Sequence, residues 1–225
     1  MIVRRLTFLA FALSIGLLVG AKPTHKLTSV KKSPQEISKQ IAAALNPAGY
    51  GIVGPQGPIC EVWLVKSLAV KSSFTPDLNI QYPFTSGQLI GVLRVAQKAE
   101  FMDFRGQEVG GGVYTLRYGQ QPPDGNHIGT SDLYDFLLAI PAKFDADPKP
   151  LNGIEALHMK SAKTAGSTHP AVFSLLPTTK AAKAASLTHD DDLEFWILTL
   201  SGSGKSTDKT VEIQVRLVAI GQSEG

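Results

Sequence analysis

Residues 210–220 read TVEIQVRLVAI, and their side chains change character at every step. Val211, Ile213, Val215 and Leu217 fall on one side, and Glu212, Gln214 and Arg216 on the other. A two-residue period of this kind belongs to a strand with one buried face, not to a helix. Other segments repeat the habit. GVYTLRYG at 112–119 sets Tyr114, Leu116 and Tyr118 against Val113, Thr115 and Arg117. ICEVWLVKSLAV at 59–70 alternates, and QLIGVLRVAQKAEF at 88–101 reads as a long apolar strand bent at Gly91. DLYDFLLAIPA at 132–142 is stopped by Pro141, HPAVFSLLP at 169–177 is bracketed by prolines, and LEFWILTL at 193–200 is apolar on both faces at its centre. About seven strands separated by Gly, Pro and Asp turns predict a mostly β chain, an antiparallel β-sandwich.

Helices are few in this reading. SPQEISKQIAAAL at 33–45 predicts one amphipathic helix near the N-terminus. Ser33 would cap it, Pro34 would take the first helical position, and Glu36 would complete the Ser-x-x-Glu box. Ile37, Ile41, Ala44 and Leu45 form its apolar stripe, and Asn46-Pro47 with Gly49 end it. NGIEALHMKSAK at 152–163 and KAAKAAS at 180–186 read as short helical inserts. With no fixed-period repeat and no long linker, residues 33–225 are expected to form a single domain.

The first residues bear on compartment. Arg4 and Arg5 precede an apolar run from Leu6 to Val19 that closes on Val19-Gly20-Ala21, the pattern of a secretory signal peptide cleaved after Ala21. The run is short for a membrane span, so retention as an anchor is the alternative and no stable span is expected after cleavage. The chain should then be secreted or periplasmic, with 1–21 a signal peptide and the lysine-bearing 22–32 a flexible leader. Loss of Arg4 and Arg5 reduces the 22 Lys and Arg to 20, against 19 Asp and Glu. A chain so near neutrality gives no argument for nucleic acid or an acidic membrane as partner. The single cysteine, Cys60, rules out an intramolecular disulfide and reads as a small buried residue of its strand.

GSGKST at 202–207 resembles a phosphate-binding loop, but that motif needs a glycine where Thr199 stands and a helix where TVEIQV alternates. The segment reads as a hairpin loop, and no nucleotide is expected.

The least generic stretch is GVYTLRYGQQPPDGNHIGTSDLYDFLLAIPA, residues 112–142. Its connection, 119–133, is long for a hairpin, and long ordered loops on β scaffolds often carry function. Gly-x-Tyr-x-Leu-Arg-Tyr, then Gln-Pro, Asp-Gly-Asn-His-x-Gly, Asp-Phe-Leu-Leu and Pro-Ala resembles a family of secreted bacterial proteins of uncharacterised function. HPAVFSLLP looks like its continuation. The resemblance implies a secreted β-rich domain and no assigned activity or site.

The candidate site is this loop: Tyr118, Asp124, Asn126, His127, Asp132 and Tyr134 are the expected ligand-binding residues. A non-enzymatic binding or structural module is expected, without cofactor, recognising a glycan, an envelope protein or another ligand. The alternative is a metal-binding protein or metal-dependent enzyme, its divalent metal held by His127 with one or more of His158, His169 and His189, the imidazole set that zinc or copper takes. No His-x-His, His-x-x-x-His or cysteine pair supplies two ligands at a diagnostic spacing, and neither Gly-x-Ser-x-Gly nor His-Glu-x-x-His occurs. Trp63 and Trp196 lie in apolar settings and read as core.

Overall fold

In chain order the computed structural model, which describes residues 25–121, 134–178 and 184–223, forms β1 (Lys26–Val30), α1 (Lys39–Ala44), β2 (Gly49–Gly54), β3 (Gly57–Leu64), β4 (Leu68–Ala69), β5 (Leu89–Val95), β6 (Gly112–Gln120), β7 (Asp135–Pro141), a 3-10 turn (Ala142–Phe144), α2 (Ile154–Ala165), β8 (Ala171–Ser174), β9 (Ser186–Asp190), β10 (Phe195–Lys205) and β11 (Thr210–Ile220). The chain is mostly β, and its strands pair antiparallel as the alternation predicts. One sheet has seven strands in the order β1-β2-β3-β5-β6-β7-β8. The other runs β11-β10-β4, with β9 also against β10. β4 is the exception to antiparallel pairing: the chain leaves the first sheet after β3, and Leu68 and Ala69 pair parallel with Gly204 and Lys205.

The two sheets share a core. Cys60, Val62, Leu93, Leu116 and Phe173 of the first meet Leu200, Val215, Leu217 and Ala219 of the second in one cluster. A smaller cluster joins Phe136, Leu138 and Ile140 of β7 to Leu157 of α2, Phe104 and Phe195. β7 therefore buries both faces, Leu137 and Ala139 toward one cluster and its even-numbered residues toward the other. This is why DFLLAI carries no polar alternation, the mark of a strand covered on both sides.

Several local expectations are corrected. The leader read at 22–32 holds β1, an edge strand whose five residues pair with β2 from Lys26↔Val53 to Val30↔Gly49. The helix near the N-terminus begins later than the Ser33 box. Ser38 is its cap, accepting from the Ile41 N–H at 3.1 Å while its hydroxyl donates to the Ala146 carbonyl at 2.6 Å. A tertiary partner for the capping hydroxyl thus outranks the local Ser-x-x-Glu signal. α2 falls where NGIEALHMKSAK placed it. The insert read at 180–186 ends as strand, since Ser186 opens β9, and residues 179–183 lie outside the described part. Gly202, Ser203, Gly204 and Lys205 are ladder residues of β10 paired with β11, and the turn itself spans 206–209, where Ser206 N–H donates to the Lys209 carbonyl. The segment that resembled a phosphate loop is strand and turn.

Glycine explains β2, which the sequence reading passed over. A Cβ on Gly49 would stand 2.4 Å from Trp63 Nε1. Gly91, where a bend was expected, lies at a β-bulge opposite β6, and a Cβ there would meet the Trp63 carbonyl oxygen at 2.2 Å. Backbone cannot retreat as a flexible side chain can, so Gly91→Ala should destabilise the protein by about 1–3 kcal/mol. Urea unfolding with an unchanged m-value is the check; a variant as stable as wild type would remove the close approach as the reason for this glycine.

Candidate functional site

β6 and β7 remain paired to the root of the connection predicted as the site, through Gly119↔Phe136 and Gln120↔Asp135. Beyond that register Gln121 N–H donates to the Tyr134 carbonyl at 2.9 Å, and Tyr134 N–H donates to Asn79 at 3.1 Å. Asp124, Asn126, His127 and Asp132 lie outside the described residues. Tyr134 is half-buried at the root.

Tyr118 is not a ligand-facing ring. It is fully buried, and its hydroxyl donates to Asp135 Oδ1 while accepting from Gln120 Nε2 at 2.9 Å. Asp135 is also fully buried, and its Oδ2 accepts the Gln81 N–H at 2.5 Å. Burial holds the Asp135 carboxyl above the ordinary carboxylate range, against the opposing pull of its hydrogen bonds to Tyr118 and to the Gln81 and Tyr82 backbone. Burial, with the Asp135 contact second, pushes the Tyr118 phenol well above its usual range. The network ties the 79–82 segment to the loop root and consumes the polar groups of both side chains.

Beside the root lies a cleft of about 380 Å³, lined by Ser86, Gln120, Gln121 and the stretch from Leu151 to Ile154. Its side-chain polar groups are hydroxyl and carboxamide, each able to donate and accept. Asn152 and Gly153 are exposed at its rim.

Arg117 is the residue whose burial pattern reading did not show. Alternation set it with Val113 and Thr115, opposite Tyr114, Leu116 and Tyr118, and it is fully buried although charged. Its five N–H donors all find acceptors. Nε donates to Asp145 Oδ2 at 2.6 Å and Nη2 to Asp145 Oδ1 at 2.8 Å. Nη1 donates to the Gly87 and Lys149 carbonyls, both at 2.7 Å, and Nη2 also reaches the Asp147 carbonyl. Thr115 adds its hydroxyl to Asp145 Oδ2 at 2.5 Å. Asp145 stands 28 residues from Arg117, so no local signal announces the pair.

The histidines are dispersed. His158 lies on α2, and exposed His169 precedes β8 with Nδ1 3.2 Å from Thr168 Oγ1. His189 lies on β9 with Nδ1 2.7 Å from Asp191 Oδ1. Among the described residues no three His, Cys, Asp or Glu side chains converge as a metal site; His127 is outside them. Cys60 is buried, and burial followed by the nearby Glu61 charge pushes its thiol up to about 12. Trp63 is fully buried, as read, whereas Trp196 is half-buried between His189 of β9 and His25. Among the described residues no helix is long and apolar enough to cross a membrane. Compared with family models, curated proteins and solved structures, the chain has no significant match.

Two outcomes follow from these networks. Arg117→Met should cost about 3–5 kcal/mol in urea unfolding, because it strands a buried carboxylate. Arg117→Lys should recover only part of that, since an ammonium offers three donors in place of a fork of five; full recovery would show that charge alone suffices. Asp135 works in the opposite pH direction from a salt-bridged carboxylate. Its raised folded value means that its contribution is complete below the unfolded value near pH 4 and is lost as pH rises through the folded value. Unfolding free energies measured at intervals between about pH 4 and pH 7 should show wild type losing stability relative to Asp135→Asn as pH rises. Wild type gaining stability relative to Asp135→Asn as pH rises would reverse the assignment.

Proposed function

We propose that this chain is a secreted or periplasmic, non-enzymatic binding module, a β-sandwich that takes its ligand at the 119–133 connection and the cleft beside its root. The observation that carries the reading is the fixed root. Tyr118, Asp135 and Gln81 lock the base of the connection, and the adjoining cleft is lined by Ser86, Gln120 and Gln121. A rigid scaffold beneath a long connection keeps the entropy of binding small. The leader sequence at 1–21, and the resemblance of residues 112–142 to secreted bacterial proteins, support the compartment.

Neutral donors and acceptors on the cleft wall suit a ligand rich in hydroxyl groups, so a glycan is the favoured class. Such sites discriminate because an unanswered polar group is costly. The test is calorimetry against a panel of envelope oligosaccharides, with Asn152→Ala and Ser86→Ala beside wild type. Saturable binding is expected, weakened about tenfold by either substitution, the equivalent of one hydrogen bond at about 1.4 kcal/mol. Binding unaffected by both would move the ligand elsewhere. Stabilisation by zinc or copper that His127→Ala abolishes would replace the glycan reading with a metal centre.

A further inference from the structure

At the opposite kind of place, an edge where the two sheets meet, three rings from three strand regions touch. Trp196 of β10 lies 4.5 Å from the His25 ring and 4.6 Å from the His189 ring, centroid to centroid. His25 immediately precedes β1, the edge strand of the first sheet, while His189 and Trp196 are cross-strand partners in the second. We propose that His25 is a pH-operated latch: as the neutral ring it docks β1 against the second sheet, and on protonation it releases that strand.

Four features converge on this seam. The β10–β11 register shifts between Trp196 and Ile197, a bulge of the kind that re-aims a side chain. Glu194, two residues earlier, holds φ 54, and among the described residues it is the one non-glycine at positive φ. Strain of this sort persists where the surroundings over-determine it. The two histidines are also provided for unequally. His189 faces carboxylates from both ring nitrogens, Asp191 at 2.7 Å and Glu194 at 3.5 Å. His25 Nδ1 is buried with no hydrogen-bond partner among the described residues.

A proton on His25 would therefore place a charge where no acceptor receives it, beside a second imidazole. Burial first, and the His189 charge second, set its proton affinity below the ordinary histidine value. Among the described residues, β9 and its turn bring it the charge of His189, whose own carboxylate partners are Asp191 and Glu194, and Lys26 is its chain neighbour. β2 brings Gly54 against it, where a Cβ would stand 3.3 Å from the His25 ring. A lowered folded value means the docking contribution is full above the unfolded histidine range and is lost as pH falls through the folded value. What is freed is the edge of β2, a row of backbone donors and acceptors open to another strand.

Amide hydrogen exchange, corrected for intrinsic rates, tests the latch. Between about pH 7.5 and about pH 5, protection of the β1 amides that donate to β2 should fall at least about tenfold while β5 and β6 amides keep theirs. His25→Gln should keep β1 protected at both pH values. His189→Gln, which removes the neighbouring charge, should move the midpoint to higher pH. Constant β1 protection in wild type overturns the proposal, as does the same acid-driven loss in His25→Gln. Should His25→Gln leave β1 undocked at both pH values, an unmoved midpoint in His189→Gln overturns it, and an upward shift sustains it.

Discussion

The guanidinium of Arg117 is the point on which the architecture around the candidate site hangs. Gly87 is bound from three sides: its carbonyl accepts from Arg117 and from Leu151 N–H, and its own N–H donates to the Tyr118 carbonyl. The 145–149 stretch is held by the same side chain through Asp145, Asp147 and Lys149. Ser86 and the residues from Leu151 to Ile154 line the cleft, so one buried cation sets the cleft's walls. Burying an ion pair is expensive in desolvation and becomes tolerable only when every donor and lone pair is answered. Arg117 meets that condition with a bidentate carboxylate and three carbonyls.

The same logic separates what the sequence revealed from what it concealed. Alternation exposed β6 and β11, and apolar runs exposed β7 and β10, because those signals are written in adjacent residues. β1, β2 and β9 stayed hidden for a physical reason. β1 and β9 are short and half-exposed with polar residues, and β2 carries three glycines, which weaken strand signals, Gly49 being required by a neighbouring indole. The burial of Arg117, Tyr118 and Asp135 was equally illegible. Their partners lie 28, 17 and 54 residues away, and a polar side chain in an alternating strand looks solvent-facing until such a partner is known.

Of the expected site residues, Tyr118 turned out to be scaffold. That outcome sharpens the reading of the connection it precedes. The Tyr118 hydroxyl and the Asp135 carboxylate are spent within the scaffold, so on the proposed reading the cleft wall is what would meet a ligand. The histidines on α2, before β8 and on β9 have separate local settings, and the chemistry that gathers is instead aromatic, at Trp196.

The excursion of β4 has a temporal meaning. Leu68 and Ala69 find their ladder only in Gly204 and Lys205, and the shared core needs Leu200, Val215, Leu217 and Ala219. The first sheet is assembled largely from neighbours in sequence, which close quickly, but its inner face stays uncovered until the final hairpin arrives. A chain emerging from its N-terminus must therefore carry an open apolar sheet until β10 and β11 are free. Its folding waits for that hairpin.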